Sequence, residues 1–277
     1  MNYIEIDTGL KIAYCDEGIG SQTLVFIHGL GNYIPVWEKN IEGLKPFFRC
    51  VAIDLPGNGL SDGGDFDYSM QFYAECISKF IKKLNLEHIT LCGHSMGGQV
   101  ALTLCLNEPK LIEKLVLVAP SGIENFNSHE KMMLSNLLRF AEMMSTNEFQ
   151  IEQAIKSSFL HFPSNDGNKI ISELKNIIQN VNNKGYTNMI RKSIQAMLNE
   201  NPSARIKEVT TETLLIIGLD DALIPNKIIH PMMSVKNIAD YATTQMPHSK
   251  SLLVENAGHF VHFEKAEKFN QTIKDFI

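Results

Sequence analysis

Leu91-Cys92-Gly93-His94-Ser95-Met96-Gly97-Gly98 closes an apolar, β-branched run, Ile89-Thr90-Leu91-Cys92. It opens a helix-compatible run, Gln99-Val100-Ala101-Leu102-Thr103-Leu104-Cys105-Leu106. Strand, sharp turn and helix make the setting in which G-x-S-x-G carries a nucleophilic serine. So tight a turn strains the serine backbone and brings chain close on both sides, so side chains at 93 and 97 would clash. The Ser95 hydroxyl then stands at the strand tip. It also lies at the amino end of a helix, where free N–H groups favour developing negative charge.

Further short apolar runs flank this stretch. Leu24-Val25-Phe26-Ile27 ends in His28-Gly29, Cys50-Val51-Ala52-Ile53 ends in Asp54-Leu55-Pro56-Gly57, and Leu115-Val116-Leu117-Val118-Ala119 is stopped by Pro120. Runs apolar on both faces predict central strands of a covered parallel sheet. Residues 3–6 and 11–15 alternate around Thr8-Gly9, as in an opening hairpin. Helices are predicted from Val36 to Leu44 and from Tyr68 to Leu84, the latter with Phe72, Cys76, Phe80 and Leu84 on one face. From about Ser128 to Glu200 the periodicity is only helical. Ser128 is the expected cap of a helix through Met144, with Met133, Leu137, Ala141 and Met144 on one stripe. A second stripe joins Ile151, Ala154, Ile155 and Phe159, closed by Pro163 and an expected loop, Ser164-Asn165-Asp166-Gly167-Asn168. Ile170, Leu174, Ile177, Ile178 and Val181 make a third, and Ile190, Ile194, Met197 and Leu198 a fourth. Strand and helix alternate again from Thr213 to Ile217, with a helix at Lys236–Met246, a strand at Ser251–Val254 and a last helix at Glu264–Phe276. Repeated βα units imply an α/β fold with active groups at the carboxyl ends of the strands.

Bulk properties agree with a globular chain. At 277 residues there is room for one large domain or one domain with an insertion. Hydrophobic content of 44% and charged content of 20% are ordinary for such a domain. A net charge of -6 without basic runs argues against nucleic acid as partner. The start, Met1-Asn2-Tyr3-Ile4-Glu5-Ile6-Asp7, is acidic and alternating, unlike a signal peptide. No uninterrupted apolar stretch spans a bilayer, so stable membrane association is not expected. Five scattered cysteines without a C-x-x-C pair read as reduced thiols in the cytoplasm. No metal and no cofactor is expected.

Two more groups follow buried strands. Asp221 lies in Gly218-Leu219-Asp220-Asp221-Ala222-Leu223-Ile224-Pro225, and His259 in Asn256-Ala257-Gly258-His259-Phe260. The order Ser95, acid, His259 is that of a hydrolase with a nucleophile elbow. His259 is the residue type that can serve near neutral pH as the base taking the serine proton. Asp221 would hold its tautomer, with adjacent Asp220 as the competing acid. The oxyanion donors would be the backbone N–H groups of Met96 and of Leu30 in His28-Gly29-Leu30-Gly31.

The chain resembles the α/β-hydrolase superfamily in its capped branch of small serine esterases and lipase-like enzymes. His28–Gly31, Asp54–Ser61, Gly93–Gly98, Gly218–Pro225 and Gly258–Glu264 each stand where that family's motifs stand, over nearly the whole chain. The resemblance implies a mostly parallel eight-stranded sheet with helices on both faces and an inserted helical lid. It puts the triad acid on Asp221, the fourth residue of its segment. The expected division is core 1–122, helical cap 123–207 and core 208–277. Met133, Leu137, Met144 and Phe260 are the expected pocket residues, since Met adapts to irregular apolar shapes. Packing is the expected role of Trp37 and His94, shaping the oxyanion loop that of His28, and pinning its loop that of Asp54. His262 is expected to be structural or a pocket wall, and His161, His230 and His248 to lie on the surface.

The expected activity is cofactor-free cleavage of small-molecule carboxylic esters with an apolar acyl or aromatic part. A serine at the elbow argues against the carboxylate-nucleophile chemistries of this fold. Three alternatives remain: a carbon–carbon hydrolase of ring-cleavage diketones, a methyl-esterase of carrier-protein acyl chains, and a ligand receptor retaining the triad. Fold alone does not choose among them.

Overall fold

The computed structural model describes residues 1–144, 152–153, 155–180 and 183–277, without the side chains of 138–144, 164, 180, 183 and 184. Eight strands form one sheet: β1 (Asn2–Asp7), β2 (Leu10–Glu17), β3 (Thr23–Ile27), β4 (Arg49–Ile53), β5 (Ile89–His94), β6 (Lys114–Val118), β7 (Glu212–Gly218) and β8 (Ser249–Val254). Their order is β1-β2-β4-β3-β5-β6-β7-β8. β2 runs antiparallel to β1 and β4, and every pairing from β4 through β8 is parallel.

The apolar runs become the sheet centre because both of their faces are covered. All five residues of β3 and all six of β5 are buried. Each fully buried Leu, Val, Ile or Phe there contributes roughly 1.5–3 kcal/mol relative to exposure. Covering helices are α1 (Glu38–Leu44), which follows a 3-10 turn at Ile34–Trp37, α2 (Met70–Lys83) and α3 (Met96–Asn107). They continue after β7 with α7 (Val235–Gln245), the short α8 (Val261–Glu264) and α9 (Ala266–Phe276). Ser69 caps α2 by accepting from Phe72 N at 2.9 Å. α2 packs on α3, and α9 buries Phe269, Ile273 and Phe276 beside α1.

Between β6 and β7 the chain leaves the sheet for three described helices: α4 (Ser128–Met144), α5 (Ser164–Asn180) and α6 (Asn183–Asn199). Two boundaries differ from expectation. The cap of α4 is Asn127, not Ser128: Asn127 Oδ1 accepts from the N–H groups of His129 and Glu130, and Glu130 Oε2 accepts from Asn127 N. That reciprocal box satisfies orphan donors which the serine hydroxyl would otherwise compete for. The expected loop at 164–168 is instead the first turn of α5, with Gly167 N donating to Pro163 O at 2.7 Å. Asp166 in that turn complements the helix dipole. The stripe ending at Val181 and the Ala141, Met144, Ile151 and Ala154 positions involve side chains outside the described residues.

These helices sit directly over the carboxyl ends of the strands. Tyr186 of α6 donates to Gly31 O at 3.2 Å. Gln99 Nε2 donates to Met197 O at 3.0 Å. Tyr33 donates to Glu173 of α5 at 2.9 Å. Phe159 stacks on Phe260 with ring centroids 4.7 Å apart. No described helix is long and apolar enough to cross a membrane.

Candidate active site

Ser95 joins β5 to α3 at φ 54° and ψ −118°, a strained backbone for a residue with a side chain. The two glycines make room for it. A Cβ on Gly97 would lie 2.5 Å from the backbone oxygens of Ile27 and His28, and one on Gly93 would overlap Gly97 O. Ser95 O accepts from Gly98 N and Ser121 N, and Ser95 N donates to Val118 O. The turn is thereby locked from both sides. Met96 is the first residue of α3, so its N–H belongs to the set that has no intrahelical partner.

Across the site His259 Nδ1 lies 2.9 Å from Asp221 Oδ2, with both side chains buried. Asp221 Oδ1 also accepts from Leu223 N at 2.8 Å and Ile224 N at 3.0 Å. Three donors therefore fix the carboxylate, and it fixes the imidazole with Nδ1–H toward it. His259 Nε2 is left for a proton from the cavity side. Asp220 is exposed and stands outside this pair. Adjacent residues at a strand exit point to opposite sides, and burial selects Asp221.

The loop at His28–Gly31 is held by a second buried histidine. His28 Nδ1 donates to Gly29 O at 2.7 Å, and Leu55 N donates to His28 Nε2 at 3.0 Å. Burial lowers its pKa to about 4, so the ring is neutral and can make both bonds. Gly29 is pressed against Ser95: a Cβ there would lie 3.1 Å from Ser95 Cβ. Asp54 pins the neighbouring loop by accepting from Ile34 N at 2.7 Å and Leu60 N at 2.8 Å. Burial raises its pKa to about 7 against those two bonds.

Beneath the elbow His94 packs on His259, Phe260 and His262, with centroids 4.6–4.9 Å apart. His94 Nε2 lies 3.1 Å from His259 O. Burial first, then His262 and His259, hold His94 well below the ordinary imidazole range. Trp37 is fully buried 4.1 Å from the His262 ring, a packing role. Glu264 binds Gly258 N at 2.7 Å and Leu160 N at 2.9 Å, tying the His259 loop to the inserted segment. Only the tertiary structure shows that second bond, since 104 positions separate its partners.

Ser95, His259 and Leu30 open onto one cavity of about 620 Å³. Its roof comes from the inserted segment, through residues such as Leu134, Ile155, Ile190 and Met197. Phe260 also lines it. Met133 and Leu137 do not: they are 40% and 41% exposed, and Leu134 faces the cavity in their place. A helical stripe read without its partner has the right period and an ambiguous phase. The Met144 side chain lies outside the described residues. His161 and His248 are exposed, whereas His230 is partly buried against Glu124, 2.6 Å away. Glu124 itself lines the cavity and carried no motif. Among the described residues no group of His, Cys, Asp and Glu is arranged to hold a metal.

A parallel sheet carrying a serine elbow, a buried His–Asp pair and a roofed cavity defines a hydrolase architecture. The model for the alpha/beta hydrolase fold matches residues 22–266, and the chain belongs to that family. It is 25% identical over 275 residues to (E)-2-((N-methylformamido)methylene)succinate hydrolase of Acinetobacter baylyi, covering 99% of this chain and 97% of that one. It is 25% identical over 294 residues to a 2-hydroxy-6-oxononadienedioate/2-hydroxy-6-oxononatrienedioate hydrolase of Paraburkholderia phymatum, covering 100% and 94%. Among solved structures it resembles an esterase from Exiguobacterium antarcticum, with TM-score 0.82 at 22% identity, over 99% of this chain and 98% of that one.

Proposed function

We propose that the protein is a serine hydrolase of carboxylic esters bearing an apolar acyl or aromatic part. The carrying observation is the buried 2.9 Å His259–Asp221 bond in the cavity that Ser95 enters. Ser95 Oγ attacks the ester carbonyl carbon while His259 Nε2 takes its proton. The oxyanion is met by the N–H groups of Met96 and Leu30. Collapse expels the alcohol, which receives the proton from His259, and leaves an acyl-serine. Water, deprotonated by His259, then attacks the acyl carbon and frees the acid and Ser95. Residues 123–207 act as the lid between core parts 1–122 and 208–277, and their apolar inner face supports the choice of substrate. Five free thiols, four of them buried, support a reducing compartment, the cytoplasm.

A p-nitrophenyl butyrate assay and fluorophosphonate labelling of native protein and Ser95→Ala test this reading. Native protein should hydrolyse the ester and take the label; the variant should do neither while melting at the native temperature. Absence of both in the native protein ends the proposal. A second reading, carbon–carbon cleavage of ring-cleavage diketones, is supported by the Paraburkholderia relative. Turnover of such a diketone at a higher kcat/KM than any simple ester would put that reading first.

A further inference from the structure

The cavity's lining mixes apolar side chains with neutral polar ones such as Ser121, Thr187 and Asn201, and the one carboxyl group among its described residues stands at the wall formed by the loops after β6 and β7. Glu124 there is 7% exposed. Its Oε1 accepts from His230 Nδ1 at 2.6 Å, and Asn226 N donates to Oε2 at 2.9 Å and Oε1 at 3.1 Å. Phe126 stacks on His230 at 5.5 Å and 14°, and Asn201 Nδ2 donates to Glu124 O at 2.7 Å. The far nitrogen of His230 lies 3.5 Å from Glu130 Oε1 on α4. Two carboxyl groups thus flank one imidazole, so the formal charge of the cluster stays negative whether or not the ring is protonated. Among the described residues the lining holds no lysine, no arginine and no aspartate.

We infer that Glu124 sets the charge preference of the substrate cavity: it admits neutral or cationic substrates and turns away those carrying a carboxylate. The physical reason is twofold. A carboxylate entering this largely enclosed cavity loses hydration, and no described lysine or arginine of the lining replaces it. It also meets a like charge in a low-dielectric space, where repulsion is far stronger than in water. A carboxylate offers about four acceptor positions, and His230 and Asn226 N leave Glu124 capacity for an ammonium, hydroxyl or amide N–H of a bound molecule. The inference rests on the assignment of this cavity as the substrate site.

Binding separates the two ideas. Methyl hexanoate, monomethyl adipate and methyl 6-aminohexanoate have similar length and differ in terminal charge. Calorimetry on Ser95→Ala at pH 8 should find the ammonium ester bound at least as tightly as the neutral one. The carboxylate ester should bind about tenfold or more weakly, a change of about 1.4 kcal/mol per tenfold. Adding Glu124→Gln, which keeps shape and an acceptor for Asn226 N, should bring the two ions within about threefold. The inference is overturned if both ions bind equally poorly in Ser95→Ala, which would mean plain exclusion of charge. It is also overturned if the adipate binds like the hexanoate, or if a folded Glu124→Gln form leaves the ratio unchanged. If the glutamine form does not fold, the order of the three esters on Ser95→Ala decides alone. Turnover of methyl hexanoate by native protein reports separately on the ester-hydrolase reading.

Discussion

The β5–α3 elbow and the inserted helices face each other across one cavity and are held in different ways. The elbow is closed by backbone: Ser95 O accepts three N–H groups, its N binds Val118 O, and glycines admit neighbouring carbonyls where any Cβ would overlap. The inserted helices are seated by a few side chains, among them Tyr186 on Gly31 O, Gln99 on Met197 O and Glu264 on Leu160 N. A backbone-closed turn tolerates almost no substitution. A side-chain-seated roof can be repacked without disturbing it. Ser95 therefore lies in the part that cannot vary, and much of the cavity's shape is set by the part that can.

Four predictions would break or sharpen that contrast. The largest concerns the acid. Asp221→Asn should lower kcat toward a simple ester by roughly 10⁴-fold, because an amide favours the wrong imidazole tautomer. Asp220→Asn, exposed, should leave kcat within about twofold. Equal losses in both, measured by steady-state kinetics, would undo the assignment. Next comes the seam. Phe159 is buried between the insertion and Phe260, and Phe159→Ala should cost about 3 kcal/mol in chemical denaturation. Hydrogen exchange should show protection lost in α4–α6 before β3, β5 and β6. Uniform loss through the sheet would mean that roof and core are a single cooperative unit.

The third prediction concerns pH. Burial holds His28 at about 4 and His262 at about 3, with His94 also well below the ordinary range. Between pH 6.5 and those values the unfolded chain binds protons that the native chain refuses, so stability falls as pH drops through that window. The loss at pH 5 is about 2 kcal/mol per such imidazole. Asp54, raised to about 7 by burial, opposes it: its contribution is present below the unfolded carboxyl value and is lost as pH rises through 7. Three imidazoles outweigh one carboxyl, so Tm should drop between pH 7 and 5, and Asp54→Asn should steepen the drop. A flat profile would mean the buried cluster under the elbow is open to water. The smallest effect belongs to the outer face of α4. Met133→Ser should change stability by less than about 0.5 kcal/mol and leave KM unchanged, whereas Leu134→Ser should raise KM.

Much of the elbow side was legible in the chain because its constraints are local. Glycine at 93 and 97, an apolar run before and a helix after leave one geometry for Ser95. Asp221 and His259 were legible by their places after strands, since a parallel sheet brings such places together, although β8, expected to be buried, has only Val254 buried. The insertion was legible as helices but not as a surface. Period identifies a stripe, while the choice of Leu134 over Met133 and Leu137 depends on packing against a distant stretch of chain, α6. Asn127 displaced Ser128 as cap because two adjacent cap-formers compete and the reciprocal bond with Glu130 decides. Glu124 and His230 had no legible role, because 106 positions separate them and neither lies in a motif.

Local sequence alone carried the order of strands and helices, the strained serine turn and the three groups that follow strands. It could do so because steric exclusion at glycine and two-sided burial act within a few residues. The tertiary structure decided which aspartate meets His259, which face of α4 covers the cavity and where a carboxylate sits in its wall. Those depend on which surfaces are brought together over long separations, and no local pattern encodes that.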